Sequence, residues 1–119
     1  MISKFGIEIR KIRAKKGDSL RKMAVKLGVS STFLSAMEVG RKNIPNDYIA
    51  KIAELYELNE EEIASLEDSI NETNKRVSFE LEMMSEAQKD VSLIFARKIK
   101  TADDKLLEKL RKALLEDED

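Results

Sequence analysis

The stretch Ser19 to Glu38 reads SLRKMAVKLGVSSTFLSAME, and its punctuation decides the fold. Ser19 stands where a helix N-cap is wanted. Leu20, Met23, Ala24 and Leu27 then follow at i, i+3, i+4 and i+7, one face of a helix. Gly28 stops that helix, because the residue after a helix often takes positive φ at no steric cost when it is glycine. Ser30 reads as the cap of another helix, in which Leu34 and Met37 point inward. The reading is therefore two short helices joined by the tight turn Leu27-Gly28-Val29-Ser30. Ala24 is small where the helices must approach, and Val29 can plug the corner.

The second of these helices is left with Ser31, Thr32, Ser35 and Ala36 on its outer face. All are small and none is acidic. A helix with that surface can slide into the major groove of DNA.

Around this pair, apolar spacing predicts further helices. Phe5, Ile9 and Ile12 recur on one face from about Lys4 to Lys16, with Arg10, Lys11, Arg13, Lys15 and Lys16 crowded toward the C-terminal end. Gly17 ends that helix. Arg41-Lys42-Asn43-Ile44-Pro45 reads as a loop. A fourth helix is expected from near Asn46, with Ile49, Ile52, Ala53 and Tyr56 buried. Asn59 and Glu62 form a capping box for a fifth helix, which carries Ile63, Leu66 and Ile70. The polar run from Asp68 to Arg76 loosens the pattern and marks a domain boundary, giving an N-terminal domain over 1–70 and a C-terminal region over 71–119.

Val77, Phe79, Leu81 and Met83 alternate with Ser78, Glu80 and Glu82, which reads as a half-buried strand pairing with its copy in a second subunit. A helix running on through Glu80 to Met84 is the alternative. Ser85 and Gln88 form another capping box, followed by Ala87, Val91, Ile94 and Phe95 on a helix to about Lys100. Thr101 and Asp104 start a last helix with Leu106, Leu107, Leu110 and Leu114. The acidic end, Glu-Asp-Glu-Asp, is expected to be disordered. The fold class is all-α: five helices, then a small helical segment with a short strand over about 77–83.

Residues 5–58 resemble the Cro/XRE helix-turn-helix family, the lambda-repressor-like fold. The run GVSSTFLSAMEVGRK is similar to that family's turn, recognition helix and closing Gly-basic loop. The resemblance implies base reading by Ser30, Ser31, Thr32 and Ala36, and Ser35 faces the same way. It implies phosphate contacts near the start of the second helix, from Ser19, Leu20 and Arg21, and from Arg41, Lys42 and Asn43. It also places Arg13 and Glu38 where family members hold a buried ion pair between the first and third helices. Two positions depart from the pattern: Leu20 stands where the family often has Gln, and Val39 replaces a common Asn. Hydroxyls discriminate bases poorly, so specificity is expected to lean on DNA shape, water bridges and dimer geometry.

Bulk properties agree. Of 119 residues, 38% are charged, and one Pro and four Gly leave room for long helices. The absence of Cys and His excludes disulfides, Cys/His metal sites and catalysis by either residue. No carboxylate pair or Ser/Lys dyad stands out, so no enzyme activity and no cofactor are expected. Residues 1–58 hold 12 Lys/Arg and 6 Asp/Glu, whereas residues 59–119 hold 10 and 17. The pI near 5.7 thus conceals a basic head of +6 and an acidic tail of −7. No apolar run is long enough to span a bilayer, and Met1 to Arg10 lacks the apolar region of a signal peptide. The expectation is a cytoplasmic repressor that binds double-stranded DNA as a homodimer. Its dimerisation residues would be Val77, Phe79, Leu81, Val91, Ile94, Phe95, Leu107, Leu110 and Leu114, whose apolar area two helices and a strand cannot bury alone. The alternatives are an antitoxin whose C-terminal half holds a toxin, and a phage or anti-CRISPR-associated regulator with another protein partner.

Overall fold

Four of the five helices in the first half start at a side-chain cap that the sequence supplies; α4 has none. A computed structural model describes residues 1–116, and these form seven α-helices and no strand. The chain divides into two units, Met1–Val77 and Ser78–Asp119. The first holds α1 (Lys4–Lys16), α2 (Leu20–Leu27), α3 (Ser31–Glu38), α4 (Tyr48–Leu55) and α5 (Glu60–Asn74). Ser3, Ser19, Ser30 and Asn59 each accept a backbone N–H three residues on, which satisfies donors the first turn leaves orphaned. The Asn59–Glu62 capping box is complete.

One core serves all five helices. α1 packs on α3 and α5, and α2 packs on α3 and α4. Phe5, Ile9, Met23, Leu34, Met37, Ile52, Leu66 and Ile70 are its fully buried large side chains. The periodic positions of α1, α2 and α3 thus face where their spacing placed them. On α4 the face is rotated. Tyr48, Ile52 and Tyr56 are buried at i, i+4 and i+8, while Ile49 and Ala53 are half-buried. The helix also starts at Tyr48 rather than near Asn46, because Tyr48 and Ile49 donate to Pro45 and Asn46 in a turn. α5 does not loosen at Asp68. It runs on to Asn74, because Ile70 and Ser69 are buried and Thr73 and Asn74 bond back into the fold.

The second unit holds α6 (Glu86–Lys98), a 3-10 turn (Ile99–Thr101) and α7 (Asp104–Glu116). Ser85 and Gln88 make the expected capping box. The cap of α7 is Asp103, whose carboxylate accepts from the Leu106 amide at 2.9 Å, because Thr101 is taken up in the preceding turn. In the single chain, residues 77–83 form neither a strand nor a helix. Residues 76–81 adopt no regular element, and a turn follows in which Met84 donates to Leu81. Among the described residues of this chain there is no strand for this segment to pair with, and a helix through Glu80 to Met84 would run into Ser85, whose extended φ and ψ begin α6. Of the acidic end, Glu116 closes α7 and residues 117–119 lie outside the described residues. No described helix is long and apolar enough to cross a membrane.

Candidate nucleic-acid interface

α2 and α3 are set against each other by a corner of four residues. Gly28 takes φ +75°, and Val29 N–H closes on the Ala24 carbonyl at 3.0 Å. Val29 packs half-buried against the core. Leu34 and Met37 are wholly buried, so α3 has one possible rotation about its axis. That rotation puts Thr32 and Ser35 outside, with Ser31 and Ala36 half-exposed beside them. Together with Val39 and Arg41 they line an open concavity of about 430 Å³. Its chemistry is mixed: three hydroxyls that donate or accept, two apolar surfaces, and one guanidinium able to bond bidentately. Ser30 is not on this wall; its Oγ accepts the Phe33 amide at 3.0 Å as the helix cap. Val39, which departs from the family pattern in replacing a common Asn, is on it.

The C-terminal end of α3 is fastened to α1 through Glu38. Its carboxylate, 4% exposed, receives Arg13 Nη1 at 2.6 Å and Arg10 Nε at 3.1 Å. Its backbone carbonyl receives both the N–H and the Oγ–H of Ser3, each at 2.8 Å. The helices approach so closely that a Cβ on Gly6 would collide with that carbonyl oxygen. Sequence spacing gave no sign of this, since Gly6 sits inside a helix where glycine is otherwise unfavourable.

The loop after α3 carries Arg41, Lys42 and Asn43, all exposed. At its start, Arg41 N–H reaches the Ala36 carbonyl at 2.9 Å. At its end, Ile44 is buried, and both of its backbone polar groups bond to the side-chain amide of Asn74 at 2.9 Å. Thr73 accepts from the Phe5 amide at 3.0 Å. Ser19 and Arg21, at the start of α2, are exposed.

Elsewhere on the basic head, charge is spent on structure. Lys26 and Lys22 pair with Asp18 at 2.7 and 3.5 Å, and the Tyr56 hydroxyl donates to the same carboxylate at 2.8 Å. The hydrogen bond from Lys26, then that from Tyr56, holds the Asp18 carboxyl at about 2. Burial, then the bond to Asp18, raises the Tyr56 phenol. Lys26 also stands 5.0 Å above the Tyr56 ring. Lys11, Lys15, Lys16 and Lys51 pair with Glu8, Glu62, Glu57 and Asp47. Among the twelve Lys and Arg of residues 1–58, Lys4, Arg21, Arg41 and Lys42 are in no ion pair. Three of these four stand where phosphates were expected.

The C-terminal candidates are accounted for differently. Val77, Phe79, Val91, Ile94, Leu107 and Leu114 are exposed, and Leu81, Phe95 and Leu110 half-buried. Leu93, Leu106 and Leu115 join the exposed set, and no residue of α6 or α7 is buried. Compared with known families, residues 4–66 match the model of a helix-turn-helix domain. Neither the comparison with curated proteins nor that with solved structures gave a match.

Proposed function

The chain belongs to the XRE/Cro-like helix-turn-helix family, and from that premise we propose that it is a transcriptional repressor that reads a palindromic operator as a homodimer. The observation that carries this reading is the outer face of α3: Ser31, Thr32, Ser35 and Ala36, with Val39 and Arg41 at its edge. Small side chains let the helix backbone come close to the groove floor. The short hydroxyls bond base edges directly or through water, and discrimination is completed by DNA shape. Arg41 and Lys42 from the loop, and Arg21 with the amides at the start of α2, anchor the phosphates and set the docking angle. These cations have no competing carboxylate, so neutralising phosphates costs no existing pair.

A single head of this size reads too few bases for an operator. Dimerisation supplies the second head, at a spacing of roughly 34 Å or a multiple of it. The C-terminal half supports this reading, because its helices leave a leucine-rich surface without cover. The function needs no catalytic step and no cofactor, and it is exerted in the cytoplasm where the operator lies.

Selection of bound duplexes from a random pool tests the proposal. The expected product is a two-fold symmetric motif, bound with a steep salt dependence. Thr32→Glu should abolish binding to it, a loss of at least about a hundredfold, through a carboxylate set against base edges and phosphates. No enriched motif and no ionic-strength effect would remove the reading.

A further inference from the structure

We infer that Asn74 is a positioning residue for DNA binding: its side-chain amide holds the loop that presents Arg41 and Lys42. The inference rests on the DNA-binding reading above. The geometry is specific. Asn74 Oδ1 accepts from Ile44 N–H and Asn74 Nδ2 donates to Ile44 C=O, each at 2.9 Å. One planar amide thus satisfies both polar groups of a single residue, as a neighbouring strand would. Ile44 is 2% exposed, so water cannot freely replace that partner. The loop's other end is tied by Arg41 N–H to Ala36 C=O. Between these ties lie Lys42 and Asn43, exposed and outside any helix. Asn74 therefore decides whether the cationic stretch is a fixed bracket beside α3 or a slack tether. A bracket meets phosphates without an ordering cost at binding.

The position of Asn74 in the chain adds to this. It is the last residue of α5, and Lys75 follows in the left-handed region at φ +54°. Thr73, one residue before it, is bonded to the start of α1. The end of α5 is thereby pinned at one side to α1 and used at the other to hold the loop.

The test uses the full chain with Asn74→Ala, the selected operator duplex and a scrambled duplex. Binding to both duplexes is expected to weaken by about tenfold, and the slope of log K against log salt to shrink by about 1, the equivalent of one phosphate contact. Arg41→Ala in the Asn74→Ala background should cost far less than in the wild type, because both changes remove the same contact. Amide exchange should accelerate at Ile44 and at Arg41, the two hydrogen-bonded ends of the loop, while Leu34 and Ile52 keep their protection. Wild-type affinity in Asn74→Ala, or independent multiplicative effects of the two substitutions, would overturn the assignment. So would exchange rising equally at Leu34 and Ile52, which would make Asn74 a general packing residue. A wild-type chain that binds neither duplex overturns the function itself, and is thereby distinguished from failure of the positioning role alone.

Discussion

The two halves of this molecule are equally well started and unequally finished. α5 and α6 both open on a complete capping box, Asn59 with Glu62 and Ser85 with Gln88. α1 through α5 then enclose a core with eight large side chains wholly out of water, while α6 and α7 bury no residue. Local signals are thus shared, and the difference lies in closure. A helix face becomes a core when other faces surround it, and the first unit has five helices to do so. The second has two, and an amphipathic helix left open on its apolar side has not gained most of the stability its sequence encodes.

The largest contrast should come from ion pairs. Glu38→Ala leaves Arg13 in a nearly buried position with no partner, and should cost about 3–5 kcal/mol in chemical denaturation. The matching change in the second unit, Glu86→Ala, removes the exposed pair with Lys89 and should leave the midpoint unmoved. Equal effects would mean the halves are not as different as their burial indicates.

A second contrast uses leucine. Leu34→Ala should lose about 2–5 kcal/mol by opening a cavity in the shared core. Leu107→Ala should leave the first unit's unfolding unchanged and instead weaken self-association, read by sedimentation across concentration. A Leu107→Ala chain that sediments like the wild type would remove Leu107 from the proposed dimer surface.

The smallest effect is an acid one. The Asp18 carboxyl lies near 2 in the fold, below its ordinary 3.8, because Lys26 and Tyr56 stabilise the charged form. A depressed carboxyl contributes stability that is present above its unfolded value and is lost as pH falls through the folded one. The wild type should therefore weaken between about pH 4 and pH 2, and Asp18→Asn should flatten that decline while lowering stability at neutral pH. An unchanged acid limb in Asp18→Asn would place the cause elsewhere, with Glu62 next to examine because the Asn59 amide and Lys15 also lower its carboxyl.

These contrasts explain what could be read in advance. Ser19, Gly28, Ser30, Asn59 and Ser85 were legible because each acts on a backbone group within a few residues of itself. The faces of α1, α2 and α3 were legible because a 3.6-residue period is a property of one helix. Tyr48 and Ile44 were missed because a short helix after a proline loop does not say which way it is turned. The alternation from Val77 to Met83 is not realised in the single chain for a related reason: period two gives a strand only where another backbone is present to pair with it, and the described residues of one chain supply none.

The sequence alone established that five short helices would form in the first half, three of them with a legible N-cap, and that the third would present hydroxyls and an alanine outward. It could do so because capping and periodicity are local. Assembly in three dimensions was needed to bring Asn74 to Ile44, thirty residues away, and Thr73 to Phe5, sixty-eight away. The same assembly made Gly6 the site where α1 meets the Glu38 carbonyl. Such contacts carry no periodic trace, because a hydrogen bond across the fold constrains two residues and leaves the sequence between them free.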